Sequence, residues 1–183
     1  KRQAIMRVKF FAKFFDKMGI KHISEATVKK LYDNGFDTLL KILDVDKKRL
    51  LKIDGIKENS AERIVNNIKN GLKEVKVPEL LGAASVFGFG VGIKRVIALM
   101  TDIPDLLTAK KKELKKKILE VEGFSEIMAQ KVYENIDGAV EFVDEISKFV
   151  SFTEDTRVSD VLVGQKFVFS GLRSRELEQD IID

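Results

Sequence analysis

Four short stretches carry the residues whose types and spacing could do chemistry, and the chemistry is capture of an oxyanion by main-chain amides. The fullest is Gly90-Val91-Gly92, with Lys94 and Arg95 close behind. Glycine supplies a backbone torsion that residues with a Cβ avoid. The apolar residue between the glycines pins the turn inward. A helix that starts there leaves its first N–H groups unpaired at the positive end of its dipole. That is a site for a phosphate oxygen, and a side chain in place of either glycine would block a phosphate backbone from approaching. Gly55-Ile56-Lys57 keeps the first glycine and leads into Glu58-Asn59-Ser60, polar residues suited to a first helical turn. Gly123-Phe124-Ser125 also keeps the first glycine, and His22-Ile23-Ser24 has neither. The expected contact residues are Gly90, Val91, Gly92, Lys94 and Arg95, then Gly55, Ile56, Lys57 and Asn59 with Gly123, Phe124 and Ser125, and last His22 and Ser24. The first copy reads as structural, with His22 a turn residue rather than a ligand or a catalyst.

Other chemistries are thinly supplied. The chain of 183 residues has no cysteine, which excludes disulfides, cysteine-ligated zinc and a thiol nucleophile. One histidine, His22, excludes ordinary multi-histidine metal sites. Lys52-Ile53-Asp54-Gly55 fits the K-x-D-G signature of nucleotidyltransferases. That lysine needs a β-rich pocket with further lysines and carboxylates, whereas this one ends a short helix at a turn, so no catalytic residue is assigned. The net charge of +4 is modest, but the lysines cluster, which favours an anionic partner. Lys110, Lys111, Lys112, Lys115, Lys116 and Lys117 form either a solvated helix face or a supplementary phosphate-binding face. No apolar run is long enough to span a bilayer and no signal-peptide pattern opens the chain, so an intracellular protein without membrane contact is expected. The chain opens with Lys1 and is expected to be a fragment or a processed product.

The elements that must position these stretches are helices. Residues 4–17 are amphipathic, with Ile5, Val8, Phe11 and Phe15 on one face and Phe10 and Phe14 widening it. A helix from Glu25 to about Asp33 is closed by Gly35, and another begins within Phe36 to Leu43. Asp46 can cap a short helix ahead of Gly55, and the helix after it is expected from Ser60 to about Lys73. Pro78 opens a new segment. Lys110 to Val121 reads as a basic helix, and a long amphipathic helix follows to about Val150. The composition turns polar from Ser151, which reads as a linker over 151–162. GQKFVFSG, 164–171, then alternates as a strand, with a short helix from Ser174.

Set in register, the four triplets begin at 22, 55, 90 and 123, at intervals of 33, 35 and 33 residues. Their middle residues are Ile23, Ile56, Val91 and Phe124. Four positions after the triplet stand Val28, Ala61, Val96 and Ala129; seven after stand Leu31, Ile64, Leu99 and Val132. A period near 34 also suits peptide-binding helical solenoids, but those fix residues inside both helices, whereas here the turn itself is fixed. A glycine–apolar–glycine turn between two helices defines the helix-hairpin-helix motif. Its amides hold a DNA backbone without reading bases, so binding should be sequence-independent and weaken with salt. The expected fold is all-α: a tandem of four such motifs over 1–150, then a short strand-helix stub.

Four motifs at this spacing, then a linker and a glycine–strand–glycine segment, resemble the C-terminal half of bacterial-type NAD-dependent DNA ligases. AERIVNNIKNGL, 61–72, and LLGAASVFGFGVGIKRV, 80–96, look like segments around that family's second and third hairpins. VGQKFVFSGLRSRELEQDII, 163–182, looks like the start of a BRCT domain, and 163–183 is too short to complete one. The family's adenylation, nicotinamide-binding and OB-fold parts are absent, as is its four-cysteine zinc module, and the lost glycines suggest a divergent member, viral or from a split ligase. The resemblance implies a region that grips double-stranded, nicked DNA while a catalytic ligase domain, in cis or in trans, seals the nick. It implies NAD as cofactor of the parent enzyme and none in this chain, and a cytoplasmic setting, at the bacterial nucleoid or in a host cell. Two other readings stay open: a non-enzymatic scaffold or repair-nuclease accessory domain built from the same motif, and a helical protein-interaction module using the Phe10–Phe15 stripe.

Overall fold

The structure is a computed structural model that describes residues 1–153. The strand and helix expected over 163–183, and the expected linker from residue 154 on, lie outside the described residues. Everything regular within them is helical apart from one isolated bridge, in agreement with the all-α expectation. The span 1–150 expected as one domain divides into two compact units, Lys1–Lys73 and the described residues from Glu74 on. Each unit holds two of the four hairpins.

The first unit begins with α1 (Arg2–Lys17), whose apolar stripe packs against α2 (Glu25–Asp33). Phe11, Phe14 and Phe15 are buried, each contributing roughly 1.5–3 kcal/mol by leaving water. Phe14 and Phe15 meet edge to face at 5.4 Å. Most of the stripe is therefore core, which leaves the protein-interaction reading only its exposed part. Ile5 and Phe10, expected on the packed face, remain exposed because α2 covers only part of the stripe. Two short helices, α3 (Leu39–Leu43) and α4 (Lys47–Leu50), are started by side-chain caps. Thr38 accepts from the Lys41 amide at 3.2 Å, and Asp46 from the Arg49 amide at 2.8 Å. Then α5 (Glu58–Gly71) starts two residues earlier than expected, at Glu58, because the turn is finished once Lys57 has taken extended backbone.

The second unit holds α6 (Val77–Ala83), α7 (Ile93–Asp102), α8 (Lys111–Leu119) and α9 (Glu126–Ile146). Leu81, Phe87, Val96, Leu99, Leu114 and Val132 form the centre of its core. The helix α6 lies so close to the start of α7 that a methyl on Gly82 would sit 2.7 Å from the Ile93 amide nitrogen, and closer still to its Cα. After α9 the chain returns to the start of the unit. Val75 donates its N–H to Ser151 O at 2.8 Å and accepts from Thr153 N at 2.9 Å. The first residues of the polar stretch from Ser151 thus tie α9 back to the segment before α6.

Candidate functional site

All four triplets fold alike. Their first residues lie in the left-handed region: His22 at φ 65°, Gly55 at 80°, Gly90 at 94° and Gly123 at 86°. His22 reaches this geometry without glycine, which explains how the first hairpin keeps its turn after losing both. The middle residues Ile23, Ile56, Val91 and Phe124 are buried. In three copies the middle amide closes the turn three residues back, Ile56 to Ile53 O at 3.1 Å, Val91 to Gly88 O at 3.4 Å and Phe124 to Val121 O at 3.2 Å. These apolar residues therefore position the hairpin, with side chain and amide both committed inward. The third residues Ser24, Lys57, Gly92 and Ser125 are the N-caps of α2, α5, α7 and α9, all with extended backbone.

The hairpins differ in what they leave for a ligand. Ser24 accepts from the Thr27 amide at 3.2 Å and Ser125 from the Met128 amide at 3.3 Å, so each spends a first-turn donor on its own cap. Lys57 and Gly92 make no side-chain cap, so no cap side chain takes a first-turn amide of α5 or α7, although the Ile93 amide lies against Gly82 and leaves those of Lys94 and Arg95 for a ligand. Three of the four helices also place a glutamate at their first position, Glu25, Glu58 and Glu126. A carboxylate there offsets the helix dipole that would draw an anion. Glu58 pairs with Lys47 at 2.5 Å, and that hydrogen bond holds the Lys47 ammonium above its ordinary range. The exception is α7, which has no acidic residue in its first turn, no cap, and Lys94 and Arg95 exposed beside its open amides. Arg95 folds back to donate to Gly90 O at 2.8 Å, so its guanidinium both braces the tip and charges it. Among the four, the third hairpin is the most open and most positive.

Within each unit the helix after one hairpin reaches the tip of the other. In the first, Asn67 of α5 donates to Lys21 O at the tip of hairpin 1, at 3.0 Å. The Lys30 ammonium of α2 lies 2.9 Å from where a Cβ on Gly55 would stand, at the tip of hairpin 2. In the second, Lys131 of α9 donates to Phe89 O at the tip of hairpin 3, at 2.9 Å. Lys30, Asn67 and Lys131 escape the reading of single motifs. The repeat register holds the signal for two of them, since Lys30, Arg63 and Lys131 share the position six after the triplet and Ala98 takes it in the third copy. The lysine run divides. Lys111 is tied to Asp137 at 2.7 Å, lies over Tyr133 at 5.2 Å and is held above its ordinary range by that carboxylate. Lys115 stands 4.0 Å from Glu126, while Lys110, Lys112 and Lys116 face solvent. Lys52 is exposed on the turn after α4, with Ile53 buried beside it.

Comparison with known proteins agrees with this geometry. Residues 16–70, which hold the first two hairpins, match the family model of the SAM-like helix-hairpin-helix tandem. The chain is 29% identical over 181 residues to a DNA ligase of Acanthamoeba polyphaga mimivirus, over 95% of this chain and 28% of that relative. It is 28% identical over 100 residues to putative DNA ligase 052L of Invertebrate iridescent virus 3, over 55% of this chain and 13% of the relative. It is 31% identical over 99 residues to putative DNA ligase 205R of Invertebrate iridescent virus 6, over 54% and 15%. The chain thus spans little more than a quarter of the mimivirus relative. Among the described residues no helix is long and apolar enough to cross a membrane. The described chain is a helical tandem of helix-hairpin-helix motifs, similar to one part of viral DNA ligases.

Proposed function

We propose that this chain is the DNA-gripping region of a DNA ligase of the NAD-dependent type. It holds duplex DNA at a nick while a catalytic domain outside this chain, in cis or in trans, seals it. The observation that carries the reading is the third hairpin. Its amides are uncapped, free of acidic neighbours and flanked by Lys94 and Arg95, and Lys131 brings the first turns of the fourth hairpin's helix beside it. Phosphate oxygens accept from the open α7 amides, and Lys94 neutralises the adjacent phosphate. Gly55 and Lys57 offer a second, weaker grip in the first unit. Such contacts fix register on the duplex without reading bases.

In the parent enzyme NAD would supply the adenylyl group. The described residues do not fit that group: Lys52, the lysine of the K-x-D-G string, is exposed on a turn between helices, with Asp54 beside it and no sheet around it. Similarity to proteins named as ligases favours this reading over a free-standing scaffold or a nuclease accessory domain. The setting that follows is the compartment holding the DNA, at the nucleoid or in a virus-infected cell.

The test is fluorescence anisotropy on labelled nicked and intact duplexes of two unrelated sequences across a salt series. Affinity should not depend on sequence, and log K should fall linearly with log salt, by about 0.9 per phosphate neutralised. Lys94→Met should lower that slope by about 1. No binding at low salt would overturn the reading. Ligation by the parent enzyme with NAD and not with ATP would fix its type, and the reverse would refute it.

A further inference from the structure

The tip of the third hairpin carries a phenylalanine where the other three carry charge. The residue just before the triplet is Lys21, Asp54, Phe89 and Glu122 in the four copies. The turn itself therefore needs no apolar side chain at this place. Phe89 is 94% exposed, the most exposed large hydrophobic residue among the described ones. Next is Ile127, 71% exposed, on the first turn of α9. Both belong to one neighbourhood, because Lys131, one turn along α9 from Ile127, donates to Phe89 O at 2.9 Å. The backbone that presents Phe89 is fixed on both sides. Gly88 donates to Ser85 O at 3.0 Å and accepts from the Val91 amide at 3.4 Å, and Arg95 holds Gly90 O at 2.8 Å. A ring kept in water on a braced tip, framed by Lys94, Arg95 and Lys131, matches an anionic partner with apolar surface between its charges. Nucleic acid has that make-up, with phosphates outside and base faces within.

We propose that Phe89 is an apolar wedge that enters an interrupted base step while the α7 amides hold the neighbouring phosphate, so that the third hairpin prefers nicked over continuous duplex. This rests on the DNA-gripping reading and adds to it a residue that senses the break. Aromatic and aliphatic wedges enter duplexes from the minor groove at the cost of unstacking one step. Where one strand is already broken that cost is lowest, as it is for mismatched or damaged bases. Backbone amides alone carry no such preference, since phosphates flank every step. Ile127 extends the apolar edge on the side of the fourth hairpin. Hairpins 2 and 4 cannot act this way, because Asp54 and Glu122 set a carboxylate at the same place.

The experiment compares wild type, Phe89→Ala and Phe89→Leu on matched nicked and intact duplexes, with 2-aminopurine beside the nick. Phe89 touches no core, so all three should melt alike. Wild type should bind the nicked duplex about tenfold tighter than the intact one, the scale of one base–aromatic stack, and brighten the 2-aminopurine. Phe89→Ala should bind both duplexes equally, at the wild-type affinity for intact DNA, without brightening, and Phe89→Leu should keep part of both effects. If wild type binds DNA and Phe89→Ala keeps the same preference and fluorescence, the wedge is refuted and the gripping function stands. Equal loss on both duplexes makes Phe89 a general contact and also refutes the wedge. If wild type binds neither duplex at low salt, the underlying function fails instead.

Discussion

Replacing Gly92 by serine should make the protein more stable and its grip weaker. Gly92 is the N-cap of α7 at φ −84° and ψ −173°, ordinary extended backbone. Ser24 and Ser125 hold the same place in hairpins 1 and 4 at nearly the same angles, and both accept from the amide three residues on. A Cβ added to Gly92 meets nothing within 4 Å. A serine there would therefore accept from the Arg95 amide without strain. The cap adds a few tenths of a kcal/mol over glycine, and the stiffer unfolded chain about 0.4–1 kcal/mol more. Together, at roughly 4–8 °C per kcal/mol for a small domain, they should raise the melting temperature of that unit by about 3–10 °C. The same hydroxyl takes a donor from the phosphate. A hydrogen bond to a charged group is worth about 1.5–3 kcal/mol, so affinity for nicked duplex should fall about 10- to 100-fold. The salt slope should not change, because no cation is removed. Melting by circular dichroism and anisotropy titration on one preparation read both quantities. A variant that melts higher and binds like wild type would show that the α7 amides hold no phosphate. A variant that melts lower would refute the backbone argument itself.

Further outcomes test the scaffold around that site. Gly82→Ala should destabilise the second unit by about 1–3 kcal/mol, as overpacking of a close helix contact does, and chemical denaturation should show it as a lower midpoint. His22→Gly relieves a left-handed non-glycine residue that costs about 1–2 kcal/mol but loosens the unfolded chain by about 0.4–1 kcal/mol. The first unit should gain a net stabilisation of between zero and about 1.6 kcal/mol, and a loss would contradict the φ of 65° at that position. The Arg49 amide, then the Arg49 side chain, hold the Asp46 carboxyl below its ordinary value of 3.8. A depressed folded pKa gives stability that is present above the unfolded value and lost as pH falls through the folded one. Wild type should therefore lose stability relative to Asp46→Asn below about pH 4, and parallel acid melts of the two proteins would contradict this.

Much of the fold is legible in the sequence because a turn leaves local marks. A left-handed residue, an inward apolar residue and a polar first turn are properties of a few neighbouring positions, and they recur at 22, 55, 90 and 123. The following helices show themselves through Val28, Ala61, Val96 and Ala129, which point into a core whatever that core contains. Asp46 and Ser24 mark helix starts in the same local way. The register also holds Lys30 and Lys131 at one shared position, but the amino acid there says nothing of which tip it will touch.

Tertiary structure decided the rest. The Phe10–Phe15 stripe is equally apolar along its length, and only the packing of α2 divides it into buried Phe11, Phe14 and Phe15 and an exposed Phe10. The pairing of hairpins into two units depends on contacts between residues far apart in the chain, such as Asn67 with Lys21 and Lys131 with Phe89. The same applies to Phe89. Its exposure follows from a turn braced from outside by Arg95 and Lys131. The sequence alone determined where the chain turns and which positions of the helices after the turns face a core. The tertiary structure determined which amides stay open and which side chains stand in water, because those depend on what the rest of the chain places beside them.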